Sequence, residues 1–221
     1  LGGKMPDTIV SHDVDLVKGY MARPMEAGNY PGLVIIQEWW GLDEHIRDVT
    51  RRFAREGYVA IAPDLFHGEV TADPQEAGKL AGSLDRARAV RDTQAAMNYI
   101  QDSEFSNGKM GVIGYCLGGG VSLLTACNDS IDAGIVYYGG LPNPLDLLDN
   151  IEAPILAVYG EDEGERANEL ETELNNRGKS VEKHIYPGAG HGFFNDSGGN
   201  HNGEAAADAW EKTLAFLKAN V

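Results

Sequence analysis

A cysteine framed by glycines is the residue in this sequence whose setting is best suited to chemistry. Cys116 stands in Gly114-Tyr115-Cys116-Leu117-Gly118, directly after the apolar run 110–113 and before a helical pattern that begins at Val121. This spacing is typical of a nucleophile elbow, a sharp strand-to-helix turn that needs glycine two residues before and after the nucleophile. The pattern predicts a sulfur at a helix N-terminus, where the helix dipole and free N–H groups favour a thiolate and an adjacent oxyanion.

A histidine and a carboxylate follow this cysteine in a useful order. An ordinary thiol has a pKa of about 8.5, so it needs a base near neutral pH. His191, in a glycine-rich loop late in the chain, is the candidate base, and Asp162 is the candidate that fixes its tautomer. Glu161 and Glu163 compete with Asp162 for that role. The order Cys116, Asp162, His191 predicts a catalytic triad.

The segments between these residues alternate between two periodicities. Short apolar runs predict buried strands, and longer amphipathic segments predict helices capped by residues such as Asp43 and either Ser83 or Asp85. Residues 9–11 and 14–21 predict an N-terminal hairpin that turns around His12 and Asp13. Strands that alternate with helices predict one α/β domain over residues 1–221, a three-layer α/β/α sandwich with a mostly parallel central sheet.

Polar or reactive side chains follow six of the predicted strands closely. Because the carboxyl ends of parallel strands meet at one edge of a sheet, these side chains are expected to gather there. They are Glu38, Asp64, Cys116, Tyr138, Asp162 and His191. Asp64, after Pro63, is more typical of a residue that braces loops. The backbone N–H groups of Leu117 and Trp39 are the predicted oxyanion hole.

Composition excludes several other classes of protein. The 221 residues are 43% apolar, but no run approaches the roughly 20 apolar residues of a membrane span. A net charge of −16 argues against binding to nucleic acid or anionic membranes. Two cysteines provide no disulfide framework, and residues 1–6 lack the apolar core of a secretion signal. These features predict a cytoplasmic protein.

The sequence resembles the dienelactone hydrolase family, whose carboxymethylenebutenolidase-like members have the α/β-hydrolase fold. The matching stretches cover nearly the whole chain in order, and a cysteine in the elbow is itself a discriminating mark. They are Gln37-Glu38-Trp39-Trp40-Gly41, Ala62-Pro63-Asp64-Leu65-Phe66, Ser106-Asn107-Gly108-Lys109, Gly114-Tyr115-Cys116-Leu117-Gly118-Gly119, Tyr137-Tyr138-Gly139, Gly160-Glu161-Asp162 and Gly188-Ala189-Gly190-His191-Gly192-Phe193.

The resemblance implies a hydrolase that opens lactones or cleaves small carboxylic esters through an acyl-cysteine intermediate. Cys116 would be the nucleophile, His191 the base and Asp162 its orienting acid. Glu38 would be the family glutamate that pairs with the nucleophile at rest. The family needs no metal or organic cofactor, and a small molecule is the expected partner of a monomer or weak homodimer. His191, Asp196 and His201 carry metal-ligand atoms, but their spacing matches no metal signature.

Two arginines that grip a substrate carboxylate in the family are not found at matching positions. Residues 70–84 contain no arginine, and the nearest, Arg86, Arg88 and Arg91, fall on a predicted helix. Asn195 stands near the second position. The departures predict a more apolar pocket formed by substrate-binding residues Trp40, Tyr138, Phe193 and Asn195, together with Trp39 and Phe194. A broad carboxylesterase, a thioesterase and a non-catalytic ligand-binding relative stay open as alternatives.

Overall fold

An eight-stranded sheet forms the middle layer of the protein in the computed structural model, which describes residues 8–221. The first residues, for which the sequence predicts no secretion signal, lie outside the described part. The strands are β1 (Ile9–Val14), β2 (Gly19–Pro24), β3 (Tyr30–Ile36), β4 (Val59–Pro63), β5 (Ser106–Tyr115), β6 (Ala133–Tyr137), β7 (Ile155–Gly160) and β8 (Val181–Tyr186). Their order is β1-β2-β4-β3-β5-β6-β7-β8, and strands β3 to β8 are all parallel.

Helices cover both faces of this sheet. They are α1 (Glu44–Arg55), α2 (Pro74–Ser83), α3 (Arg86–Gln101), α4 (Leu117–Asn128), α5 (Gly164–Asn176) and α6 (Gly203–Asn220). The chain runs from β3 to β4 in one direction and from β5 towards β8 in the other. Right-handed crossovers therefore place α1 on the face opposite α3, α4 and α5. The rings of Phe53 in α1 and Trp210 in α6 pack 4.4 Å apart, so α6 shares the face of α1.

The ends of the helices follow the predicted capping residues. Asp43 accepts the N–H of Ile46 at the start of α1, and Asp85 accepts the N–H groups of Ala87 and Arg88 at the start of α3. Each carboxylate satisfies backbone donors that have no intrahelical partner. No helix within residues 8–221 is long and apolar enough to cross a membrane.

The N-terminal hairpin differs from the prediction. His12 and Asp13 lie inside β1 and pair with Met21 and Tyr20 of β2, so they do not form the turn. The turn falls at residues 15–18 instead, where Lys18 has a positive φ of 47°. Weak polar alternation does not define where a two-stranded pair reverses, because both faces of such a strand tolerate polar residues.

The switch of direction places β5 at the centre of the sheet, and α4 begins directly after it. A Cβ at Gly114 would lie 1.8 Å from the carbonyl oxygen of Gly118, and a Cβ at Gly118 would lie 2.4 Å from the carbonyl oxygen of Ile36. Any side chain at either position would overlap backbone atoms. The two glycines of the predicted elbow are therefore required for the turn itself.

Replacing Gly114 with alanine is expected to destabilise the protein by more than about 3 kcal/mol, because strand β5 and helix α4 would have to separate. Chemical denaturation with circular dichroism provides the measurement. Gly78→Ala is the matched control. Gly78 lies in α2 with nothing within 4 Å of an added Cβ, so this change should be neutral or stabilising by up to about 1 kcal/mol. Similar stabilities for the two variants would contradict the assignment.

Candidate active site

Cys116 occupies the turn between β5 and α4 in a conformation that is rare outside glycine. Its φ is 56° and its ψ is −116°, and its N–H donates to the carbonyl oxygen of Tyr137 at 3.0 Å. Such a backbone costs on the order of 1–3 kcal/mol and persists only where the surroundings impose it. Leu117 is the first residue of α4, so its N–H is free of an intrahelical partner and stands next to the sulfur.

His191 lies across a cavity from Cys116 and has both a sulfur and a carboxylate as partners. The Glu163 carboxylate accepts from its Nδ1–H at 2.9 Å, which leaves Nε2 for the sulfur of Cys116. Hydrogen bonding to Cys116 and then to Glu163 raises the pKa of His191 to about 10. His191 therefore carries its positive charge at neutral pH and faces the sulfur of Cys116.

The acid that contacts this imidazole is Glu163, a competitor in the sequence analysis, and not the favoured Asp162. Asp162 accepts the backbone N–H of His191 at 3.0 Å and does not contact the ring. Both acids belong to a short 3₁₀ helix, Glu161–Glu163, in which neighbouring side chains diverge by about 120°. Asp162 is short and turns to the adjacent loop, whereas the longer Glu163 reaches the ring with a side chain only 10% exposed.

Glu38 is a carboxyl group buried in the same cavity. It follows β3, is 4% exposed, and accepts a hydrogen bond from Nδ2 of Asn195 at 2.5 Å. Burial raises its pKa to about 7, against the opposing effect of the Asn195 hydrogen bond. Asp43 adds to the rise as a like charge, whereas His191 opposes it.

A cavity of about 340 Å³ holds these groups together. Two adjacent tryptophans, Trp39 and Trp40, form its apolar wall, with their rings 5.0 Å apart in an edge-on arrangement. The lining residues are Glu38, Trp39, Trp40, Cys116, His191, Gly192, Asn195, Gly198, Gly199 and Asn200. A cavity of this size accommodates a small substrate. A larger cavity of about 720 Å³ lies between β1–β2 and α3, away from these groups.

Several predicted pocket residues lie beneath the cavity instead of lining it. Phe193 is fully buried against Tyr137, Tyr138 and Tyr186, and Phe194 stacks on Tyr115. These aromatic side chains fill the core under the loop, and Phe193 has no surface exposed to the cavity.

Tyr138 and Asp64 have supporting positions at the same edge of the sheet. Tyr138 is also buried, with its ring centroid 5.0 Å from that of His191 and a positive φ of 39°. Asp64 accepts the N–H groups of Phe66 and Gly68, as expected for a residue that braces a loop.

The loop that carries His191 and Asn195 is anchored by a buried histidine, His45. His45 in α1 is 5% exposed, and its Nδ1–H donates to Asp196 at 3.2 Å. Burial lowers the pKa of His45, so this ring is neutral near pH 7. Arg52 pairs with the other oxygen of Asp196. The ion pair of Arg52 and Asp196 anchors the loop at the residue that follows Asn195, and Asn195 contacts Glu38.

Arg86 is a second feature that sequence reasoning did not assign to the site. It is the first residue of α3, and its charge is close enough to interact with Cys116. Its Nη1 lies 3.9 Å from the place of a Cβ on Gly120, in the first turn of α4. Within residues 8–221, no carboxylate pairs with this guanidinium. The sequence feature that could have identified Arg86 is its position directly after Asp85, the residue that caps helix α3.

A metal role for His191, Asp196 and His201 has no geometric support. Asp196 is engaged with Arg52, and Nδ1–H of His201 donates to the carbonyl oxygen of Phe193. In the part of the chain from residue 8 onward, no three His, Cys, Asp or Glu side chains are grouped to hold a metal ion.

A parallel sheet, a cysteine at the strained turn after its central strand and a histidine after its last strand define an α/β-hydrolase-fold enzyme. The chain belongs to the dienelactone hydrolase family, whose family model matches residues 17–221. The predicted fold class and family are thus confirmed.

Relatives of this chain match it over most of their own length. A Synechocystis sp. protein named after carboxymethylenebutenolidase is 35% identical, over 93% of this chain and 92% of its own. Protein usf of Aquifex pyrophilus is 32% identical, over 91% of this chain and 93% of its own. A crystal structure from Klebsiella pneumoniae, described as a dienelactone hydrolase, has a TM-score of 0.88 and 26% identity over 95% of this chain and 98% of that chain.

The buried carboxyl of Glu38 should make stability depend on pH. Its pKa is raised on folding from 4.5 to about 7, so the folded state holds this proton more tightly. The free energy of unfolding therefore falls as pH rises through that window, by about 2–3 kcal/mol from this group. Glu38→Gln keeps the acceptor for Asn195 without the charge, so it should be more stable than wild type above pH 7 and similar below pH 4.5. A constant difference in denaturation midpoint across this range would contradict the prediction.

Proposed function

We propose that this enzyme opens lactones or cleaves small carboxylic esters through an acyl-cysteine intermediate. The observation that carries the proposal is the shared cavity of Cys116 and His191, with Glu163 on the far nitrogen of the imidazole. The names of the relatives add support, because several are called after an enzyme that hydrolyses a lactone.

The reaction follows from the positions of these groups. The Cys116 thiolate attacks the carbonyl carbon, and the carbonyl electron pair moves to the oxygen, next to the N–H groups proposed for the oxyanion hole, those of Leu117 and Trp39. Collapse of the tetrahedral intermediate breaks the bond to the alkoxide, which takes the proton from His191. Water then loses a proton to His191 and attacks the acyl-cysteine. The second collapse releases the acid and restores the thiolate and imidazolium.

Glu163 takes the orienting role in this proposal in place of Asp162. Its carboxylate fixes the proton on Nδ1 and stabilises the imidazolium, while Arg166 pairs with its other oxygen. Asp162 would hold the backbone of the same loop. Because one carboxylate contacts the ring and the other contacts the backbone, their effects on kcat should be separable.

Both free cysteines, Cys116 and Cys127, are consistent with a reducing compartment, and we propose a cytoplasmic location on that basis. Cys127 is buried in α4, and burial raises its pKa to about 11. It is therefore unreactive at neutral pH, and alkylation of the native protein should report on Cys116 alone.

Cys116→Ala and His191→Ala should each reduce hydrolysis of p-nitrophenyl acetate by roughly 10³-fold or more, because attack requires both groups. Intact-protein mass spectrometry during turnover should show one acetyl group on Cys116 of the wild type. Unchanged activity in both variants would refute the proposal. A panel of lactones, oxygen esters and thioesters, compared by kcat/KM, would separate lactonase, carboxylesterase and thioesterase activity.

Glu163→Gln should lower kcat by roughly 10²-fold or more, because an amide can favour the wrong tautomer of His191. Asp162→Asn keeps an oxygen that accepts the backbone N–H of His191, so its loss should be less than about tenfold. Steady-state kinetics of the two variants with one ester, alongside thermal melts, provides the comparison. The reverse ranking would restore Asp162 as the orienting acid.

Arg86 favours substrates that carry a negative charge. It is a guanidinium without a carboxylate partner in the described part of the chain, close to the nucleophile and to the N-terminal turn of α4. We propose that it attracts an acyl group bearing a carboxylate, for which one guanidinium gives a charge-assisted contact.

Arg86→Gln should raise KM for an anionic ester such as a succinyl half-ester by about 5- to 20-fold, because a charge-assisted contact contributes roughly 1–2 kcal/mol. KM for a neutral acetyl ester should hardly change. Arg91→Gln is the matched control, since Arg91 lies one and a half turns further along α3 and faces Asp85. Equal effects on the two esters would exclude a substrate contact.

A further inference from the structure

The N-terminal hairpin has one face packed against a helix and one face that borders a groove. Asp13 and Tyr20 lie opposite each other in β1 and β2, and arginines of α1 bind both of them. Because side chains alternate along a strand, Met21 and Arg23 point to the other face, towards α3. One side of α3 forms the facing wall, through residues 95, 98, 99 and 102.

This hairpin groove is the larger cavity of about 720 Å³, roughly twice the volume of the cavity at Cys116. Ligand sites commonly measure roughly 300–1,000 Å³. Much of its lining is apolar and comes from Leu16, Val17, Met21 and Phe105. Leu16 at the rim is 83% exposed, which leaves a large apolar side chain in water beside an apolar groove.

Arg23 provides a fixed positive charge in this groove. Its guanidinium carbon lies 3.8 Å from the centroid of the Phe105 ring, and its Nη1 donates to the carbonyl oxygen of Pro24 at 2.9 Å. Together these contacts orient the guanidinium but use only one of its five N–H donors. Within residues 8–221, no carboxylate pairs with Arg23, although the chain has 34 acidic residues against 18 Lys and Arg.

The charge and the apolar surface lie at different ends of the groove. Arg23 and Phe105 are at one end, whereas Leu16 and Val17 belong to the turn between β1 and β2. The strand from Arg23 back to the start of β2 rises about 13 Å, so an apolar chain can extend along it. This arrangement is complementary to an anion with a single apolar tail.

The one carboxylate in the lining of the α3 wall is Asp102, which caps the end of α3 and is exposed. It forms no ion pair with Arg23. As a like charge, it disfavours a doubly charged phosphate more strongly than a singly charged carboxylate. The planar guanidinium also matches the two oxygens of a carboxylate.

We propose that the hairpin groove is a second ligand site, separate from the Cys116 cavity, that binds a medium-chain fatty acid. The carboxylate contacts Arg23, and the alkyl chain lies along Met21 towards Leu16. A free fatty acid is the occupant rather than a bilayer, because a net charge of −16 opposes approach to an anionic membrane. This site does not depend on the proposed hydrolysis.

Isothermal titration calorimetry with sodium decanoate, below its micelle concentration, tests this proposal on the whole chain. We expect saturable binding to one site, with affinity rising up to about fourfold per methylene from hexanoate to decanoate. Arg23→Gln should weaken decanoate binding by about 5- to 20-fold, because it removes a charge-assisted contact. Asp102→Asn should strengthen binding by about two- to fivefold, because it removes a like charge.

Arg86→Gln is the matched control, since Arg86 also has no carboxylate partner within residues 8–221 but lies near Cys116. Its affinity for decanoate should equal that of wild type. Weaker binding by Arg86→Gln, with Arg23→Gln unchanged, would place decanoate in the Cys116 cavity and overturn the proposal. Ala95→Trp, at an exposed position in the α3 wall, should fill the groove and weaken binding at least about tenfold. It provides the decisive comparison should Arg23→Gln fail to fold.

Sedimentation velocity identifies the other possible occupant, a second copy of this chain. A dimer that Leu16→Asp dissociates would show that the groove is a subunit interface and would overturn the proposal. Hydrolysis of p-nitrophenyl acetate by Arg23→Gln should match that of wild type. An active esterase that does not bind decanoate would refute the second site alone, whereas an inactive protein that binds it would refute only the proposed function.

Discussion

Direct contact between the first turn of α4 and the backbone of neighbouring strands is the constraint on which the rest of the site depends. Gly118 brings this turn so close to the carbonyl oxygens of Ile36 and Gln37 that a Cβ would lie 2.4 and 2.5 Å from them. A Cβ on Gly119 would lie 2.6 Å from the carbonyl oxygen of Tyr137. The positions of Glu38 and Cys116 are therefore coupled through backbone contacts, which do not change rotamer.

The other half of the site depends on hydrogen bonds, because the segment between β8 and α6 has no regular secondary structure. Asn200 donates to the carbonyl oxygen of His191 at 2.9 Å, and the N–H of Asn202 donates to that of Phe193 at 3.0 Å. Asp196 joins the same loop to α1 through Arg52. Buried aromatic rings beneath the loop add apolar contact. A loop held at this many points can position His191 nearly as precisely as a helix would.

The parts of the structure that depend on local periodicity could be predicted from the sequence. The apolar runs of β3 to β7 are buried on both faces, and Asp43 and Asp85 cap helices, because both effects act within a few residues. The choice between Asp162 and Glu163 could not be predicted, since it depends on the rotation of a single 3₁₀ turn relative to a loop almost 30 residues away. The burial of Phe193 could not be predicted either, because an aromatic residue beside His191 fits a core and a pocket equally well.

The molecule as a whole is acidic, whereas positively charged groups stand close to Cys116. Residues 121–221 carry 6 Lys and Arg against 17 Asp and Glu, a balance of −11, and the whole chain has a net charge of −16. Salt at physiological strength screens exposed charges beyond about 8 Å, so most of this acidity does not act at the nucleophile. Within that distance the local groups decide: the first N–H groups of α4, the guanidinium of Arg86 and the imidazolium of His191 are positive. An acidic surface and positive groups beside Cys116 are thus compatible in one chain.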